Sequence, residues 1–223
     1  MDPAQAGMQP DSSVHAPRPG TVGHRIAPSW PRCDPAVVRG LAILPTGVIG
    51  DAMHRLGTMR ATIRALWPGA RLAGTVLPVT VRSGDNTKVH EALALARPGD
   101  CLVVNGHGSI AHALFGELMA TQARAHRVVG IVVDGAVRDL QSLQAMAFPA
   151  FGLGSCPGGP TKLGFGEVGY PVACGGVVCA AGDVVVADTD GVVVVPQADA
   201  SSVLDHARAV QAWEKQRHAD LGG

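Results

Sequence analysis

Apolar and polar positions alternate in short blocks along most of the chain, and the period of each block predicts its element. Asp34 followed by Pro35 reads as a helix cap with proline in the first turn, leading into AVVRGLAILPTGVIGDAMHRLG, which accommodates two short helices. Residues 72–81 read as a strand, 85–96 as a helix, and 101–105 as a short apolar strand after the turn Arg97-Pro98-Gly99-Asp100. A helix over 116–126 is followed by a strand over 128–133 that ends at Asp134-Gly135, and the next helix begins close to Asp139 and stops before Phe148-Pro149. This is βαβα order. Beyond it, PVACGGVVCAAGDVVVADTDGVVVVPQ holds valine-rich strands separated by Gly-Gly, Gly-Asp and Asp-Gly turns, too close together for crossover helices, so the second half is antiparallel. A last helix over 198–217 places Val203, Ala207, Val210 and Trp213 at three- and four-residue spacing. The expected fold class is α/β: a single domain of mixed β-sheets flanked by helices, with a β-rich second half and a C-terminal helix, rather than a Rossmann fold. The stretch from Met1 to Pro31 is dense in Pro, Gly and Ser and lacks either period, so residues 1–33 are expected to be a mobile leader and 34–223 the domain.

Composition narrows the function more than the fold. With 47% hydrophobic and 16% charged residues and 29 glycines, the 223-residue chain is neither disordered nor a coiled coil. Eighteen Lys plus Arg balance eighteen Asp plus Glu, so no overall positive field attracts nucleic acid or an anionic membrane, and a small-molecule partner is expected. The five cysteines form no CxxC pair and are odd in number, which suggests neither a zinc cage nor a complete disulfide framework. Apolar runs such as GVVVVP fall far short of the roughly 20 residues of a membrane span. The leader lacks the apolar core of a secretory signal, and a cytoplasmic location follows as the expectation. The glycine runs do not have the spacing of a phosphate loop or a dinucleotide fingerprint, so neither nucleotide nor flavin is expected.

The chemistry concentrates in residues 106–140, GHGSIAHALFGELMATQARAHRVVGIVVDGAVRDL, where ionisable residues sit at element ends. Glu117 comes at the start of a helix whose first amides, those of Leu118 and Met119, have no intrahelical acceptor and can bind a carboxylate or phosphate. Arg138 and Asp139 follow a buried strand, so a guanidinium and a carboxylate stand side by side at its carboxyl end. Each residue also has a purely structural reading: Glu117 as a dipole-favoured residue, Asp139 as a helix cap, and Arg138 as the ion-pair partner of either.

FGELMATQARAHRVVGIVVDGAVRD resembles the signature of the RraA-like family, in which an acidic residue precedes Arg-Asp by about twenty residues, as Glu117 precedes Arg138-Asp139. DNTKVHEALALARPGDCLVVNGHG, GSCPGGPTKLG and YPVACGGVVCAAGDVVVADTDGVVVVP resemble further family segments, the second of them a loop of the aldolase branch, and the likeness spans roughly residues 40 to 217. The family's fold is a single domain resembling a swivelling phosphohistidine domain. Its class II pyruvate aldolases cleave 4-hydroxy-4-methyl-2-oxoglutarate and 4-carboxy-4-hydroxy-2-oxoadipate. The resemblance implies that Asp139 binds Mg²⁺ or Mn²⁺, that Glu117 holds a water on that metal, and that Arg138 contacts the keto or enolate oxygen of the pyruvyl part. The amides of Leu118 and Met119 would take the substrate carboxylate, and Lys162 the distal carboxylates. Glu214 of a neighbouring subunit would complete the site, which implies a homotrimer or a homohexamer built from trimers.

The implied reaction is divalent-metal-dependent cleavage of a 4-hydroxy-2-oxo di- or tricarboxylic acid to pyruvate and a second keto acid, with oxaloacetate decarboxylation as a side activity because both pass through the pyruvate enolate. Two alternatives accompany it: an enzyme that is principally an oxaloacetate or β-keto acid decarboxylase, and a non-catalytic regulator that binds a ribonuclease. One departure stands out. The aldolase motif continues with an acidic residue two to four positions after Arg-Asp, where this chain has Gln141, Ser142 and Leu143. Asp51 and His54, one helical turn apart, are candidates for the edge of the cleft, and His107 and His112 for contact with a substrate carboxylate. Asp188 and Asp190 in ADTDG read as a hairpin turn rather than a calcium loop, and Cys174 and Cys179 as core residues rather than nucleophiles.

Overall fold

In a computed structural model of the chain, which describes residues 21–222, the alternation read from the sequence is realised as follows. Helices α1 (Pro35–Ala42) and α2 (Thr46–Ala52) open the domain, with Asp34 accepting the Ala36 amide at 2.7 Å as the cap of α1. A short strand β1 (Arg64–Ala65) leads to β2 (Leu72–Val81), α3 (Thr87–Leu95), β3 (Asp100–Ala113), α4 (Glu117–Ala125), β4 (Gly130–Val137), α5 (Leu140–Ala145) and β5 (Ala150–Ser155). The remaining strands are β6 (Gly166–Val168), β7 (Val172–Cys174), β8 (Val177–Cys179), β9 (Val184–Asp188) and β10 (Gly191–Val195), followed by α6 (Ala200–Asp220).

The main sheet runs β1-β5-β4-β3-β2-β9-β10, with β6 paired to one end of β2. β2, β3, β4 and β5 are mutually parallel, since a helix separates each from the next, whereas β9 and β10 join as an antiparallel hairpin. The sheet is buried on both faces, so its strands read as continuous apolar runs whose alternate residues serve different cores. Leu77, Val79, Leu102, Val104, Ile131 and Val133 face α3, α4 and α5. Val76, Val103 and Val132 face the other way, toward the β7–β8 hairpin and Ile63. Val184, Val186, Val193 and Val195 meet α1, α2 and α6 in a third cluster. The β7–β8 turn places Gly175 and Gly176 at φ of +56° and +86°, the doubly positive turn of a tight hairpin.

Several boundaries differ from the sequence reading. β3 continues past residue 105 to Ala113 through two register shifts, and β4 passes through Asp134-Gly135 to Val137. The segment assigned to the leader is in part attached to the domain: Arg25 makes a two-pronged ion pair with Glu167, Arg32 does so with Asp100, and Cys33 is buried. Composition missed this because these contacts are single long-range pairs with no period. Residues 1–20 of the expected leader lie outside the described residues. In α6, Val203 and Ala207 are buried as expected, but Trp213, farther along the helix, is 64% exposed among the described residues. Among the described residues, no helix is long and apolar enough to cross a membrane.

Candidate active site

The extension of β3 builds the site. Leu114 donates from its amide to Ala136 O at 2.9 Å, and Arg138 donates from its amide to Phe115 O at 2.9 Å. The start of α4 is thereby stitched to the end of β4, although about twenty residues separate them. Gly116 sits at the junction, where a β-carbon would come 2.6 Å from Asp139 Oδ2 and 3.0 Å from Arg138 Cγ. A side chain at this position would force Asp139 and Arg138 to shift.

Asp139 has φ +60° and ψ +38°, a left-handed conformation that Asp tolerates better than most residues. It precedes α5 but makes no side-chain capping bond to it. Its Oδ2 instead accepts the Glu117 amide at 3.0 Å, with Arg138 Nε at 3.6 Å. The capping interpretation of Asp139 therefore fails, and the weak, half-exposed pair with Arg138 leaves the guanidinium available. Glu117 Oε2 accepts the Ser142 hydroxyl at 2.8 Å. Ser142 lies within the stretch where the aldolase motif carries an acidic residue, and here it supplies a neutral donor to Glu117 in place of a second negative charge.

A cleft of about 150 Å³ is lined by Gly116, Glu117, Leu118, Met119, Arg138, Asp139 and Lys162, and by Asn86 and His90. Among the described residues the Leu118 and Met119 amides have no acceptor, as expected for the first turn of a helix without a side-chain cap. Asn86 and His90 are the residues that sequence reasoning missed. They lie one turn apart at the start of α3, and the only signal was that spacing, which the capping pattern of a helix start explained equally well. Asn86 donates to Leu114 O and Met119 Sδ, and its buried Oδ1 has no partner among the described residues, which leaves an acceptor beside the cleft. Burial, and then the neighbouring Lys162 ammonium, push the His90 imidazole below its ordinary value.

Other candidates lie elsewhere. Asp51 pairs with Arg55 at 3.4 Å on the surface, and His54 lines a separate groove between α2, β8 and α6. His107 places Nε2 2.8 Å from Val81 O, and His112 lies against Gly84; neither lines the cleft. Glu214 stands on the distal part of α6 and is also absent from this chain's cleft. Asp188 and Asp190 form the β9–β10 turn, where Asp188 accepts the Thr46 amide at 3.0 Å, the Thr46 hydroxyl at 2.6 Å and the Asp190 amide at 3.0 Å. Cys174 and Cys179 are buried in the same core cluster as Cys101, and burial pushes the Cys179 thiol up to about 12 and raises the other two, which disfavours the thiolate.

The family model described as RraA-like, Aldolase/RraA, matches residues 46–194. A protein of Halalkalibacterium halodurans, provisionally named a 4-hydroxy-4-methyl-2-oxoglutarate aldolase, is 36% identical over 174 residues, covering 78% of this chain and 83% of its own length. Streptomyces coelicolor RraAS2, described as an unusual member of the RNase ES inhibitor RraA protein family, superposes with a TM-score of 0.77 at 29% identity, covering 85% of this chain and 99% of that one. The RNA-processing inhibitor RraA of Thermus thermophilis superposes with a TM-score of 0.63 at 31% identity, over 68% of this chain and 92% of its own. The family model covers two thirds of the sequence and these likenesses agree with it, and the chain belongs to the RraA-like family.

Proposed function

We propose that this protein is a divalent-metal-dependent aldolase that cleaves a 4-hydroxy-2-oxo di- or tricarboxylic acid to pyruvate and a second keto acid, and that also decarboxylates oxaloacetate. The observation that carries the reading is the convergence, in one cleft, of the Arg138 guanidinium, the Asp139 carboxylate and the free amides at the start of α4.

The donor set fits a hard cation. Asp139 keeps Oδ1 and Glu117 keeps Oε1 outside the bonds described above. Among the described residues there is no cluster of three or more metal-ligating side chains; one direct carboxylate, Asp139, with Glu117 acting through a water suits Mg²⁺ or Mn²⁺, which retain waters, and Glu214 of a neighbouring copy in a homotrimer or homohexamer would be a further ligand. When bound there, the cation supplies positive charge where the enolate oxygen develops.

The residues divide the remaining work. The Leu118 and Met119 amides receive the 1-carboxylate, and Arg138 donates to the 2-keto oxygen. Glu117, steadied by Ser142, takes the C4 hydroxyl proton through a water. The pair left on the C4 oxygen forms the new carbonyl, the C3–C4 bond breaks, its pair becomes the C2–C3 double bond of the enolate, and the keto π pair moves onto the C2 oxygen, where the Arg138 donors stabilise it. Protonation at C3 then gives pyruvate. Oxaloacetate reaches the same enolate by losing CO₂.

Pyruvate release from 4-carboxy-4-hydroxy-2-oxoadipate, 4-hydroxy-4-methyl-2-oxoglutarate and oxaloacetate tests the reading. Turnover of a hydroxy acid supports it, whereas release from oxaloacetate alone makes the enzyme a decarboxylase. The names of the Streptomyces and Thermus relatives favour a second reading, a ribonuclease-binding regulator; silence on all three substrates together with a stoichiometric ribonuclease complex would establish it.

A further inference from the structure

Asp85 is a carboxylate that the proposed chemistry does not use. It is completely buried and, among the described residues, forms no ion pair. Its oxygens are occupied by backbone amides from two directions. Oδ1 accepts the Thr87 amide at 2.8 Å, in the first turn of α3. Oδ2 accepts the amides of Leu163 and, at 3.2 Å, Gly164. Beside it, Thr161 donates its amide to Gly84 O at 2.7 Å and its hydroxyl to the same oxygen at 3.2 Å, and accepts the Asn86 amide at 3.3 Å. Lys162 lies between these two anchored stretches.

Residues 156–165 contain no helix or strand apart from the single bridge between Thr161 and Asp85. Nothing like a sheet ladder holds the backbone of Lys162, so these bonds fix where its side chain starts. The same carboxylate secures the helix start that carries Asn86 and His90, the other polar residues on that side of the cleft. Only an acceptor on both oxygens meets three converging N–H groups; an asparagine would turn an NH₂ toward one set of them.

We infer that Asp85 is a positioning residue that locks the Lys162 loop onto the first turn of α3, so that Lys162 is held to meet a distal carboxylate of the substrate. The substrate class rests on the function proposed above; the lock does not. Asp85→Ser separates the two halves of the bond set, because its hydroxyl still reaches the Thr87 amide but has no second oxygen for the loop; Asp85→Asn is the isosteric companion. In the full chain, amide hydrogen exchange at Leu163 and Gly164 is expected to be slow in the wild type and fast in a folded Asp85→Ser protein, while the β2 and β3 amides stay protected. With Mg²⁺ present, Asp85→Ser and Lys162→Ala are each expected to raise the KM for the tricarboxylic substrate relative to that for oxaloacetate by about tenfold, as for one lost charge-assisted hydrogen bond. The double variant is expected to be no worse than Lys162→Ala alone.

Effects that multiply in the double variant, or equal rises in both KM values, would overturn the inference. Unprotected Leu163 and Gly164 amides in the wild type, or failure of both Asp85 variants to fold, would overturn it as well. If the wild type turns over neither substrate, the functional reading fails and the exchange experiment alone decides whether Asp85 locks the loop.

Discussion

At the scale of single residues, the site depends on backbone placement more than on strong pairing. Arg138 and Asp139 have side chains 43% and 38% exposed and meet at 3.6 Å, a contact of little value to stability. Arg138→Ala is therefore expected to leave thermal unfolding unchanged and to lower kcat by about 10²- to 10³-fold, the loss typical of removing one donor to a developing oxyanion; near-normal turnover would remove Arg138 from the mechanism. Asp139→Ala is expected to abolish activation by Mg²⁺, which a metal titration of the rate reads directly. Gly116→Ala would drive a methyl group against Asp139 Oδ2 and Arg138 Cγ. Its expected result is a folded protein with strongly reduced turnover, checked by circular dichroism beside the pyruvate assay.

At the scale of elements, the β9–β10 turn fastens α2 to the sheet through Asp188. Burial pushes the Asp188 carboxyl up, but hydrogen bonds from the Thr46 hydroxyl and amide and the Asp190 amide outweigh it and hold the group below the usual range. A depressed folded value means that this stability is complete at neutral pH and is lost as pH falls below about 4, through the folded value. Asp188→Ala should cost about 1–3 kcal/mol at pH 7, the penalty for leaving buried donors unpaired, and should flatten the acid limb of stability in urea melts; an unchanged acid limb would contradict the assignment. Strand β2 was readable to the residue, since turns bracket a continuous apolar run. The extension of β3 was not, because it depends on register shifts after Asn105 and Ser109 that carry polar residues onward beside β4. Glu117, Leu118, Met119, Arg138 and Asp139 were legible because they occupy element ends, and Lys162 through the resemblance of its loop to the family's; the fold brings all six to one cleft. Asn86 and His90 were hidden by their resemblance to a helix start, and Asp85 by the long-range nature of its bonds to residues 163 and 164.

At the scale of the whole molecule, a parallel βα core supplies the strand ends that bear the candidate site, and the antiparallel half closes the sheet under α1, α2 and α6. The distal turns of α6 carry Trp213 exposed and Glu214 away from the cleft, an arrangement that suits the proposed trimer or hexamer. Light scattering coupled to size exclusion is expected to give a mass of three or six chains, and Glu214→Gln is expected to weaken metal activation without changing that mass; a monomer with full activity would contradict both. The central claim, that the Arg138–Asp139 cleft performs metal-dependent aldol cleavage, is tested most directly by following pyruvate release from 4-carboxy-4-hydroxy-2-oxoadipate by the full chain with Mg²⁺, after chelation and after Mg²⁺ is restored. The account predicts turnover that stops on chelation and returns with the metal. Turnover that survives chelation, or no turnover in any of the three conditions, would contradict it.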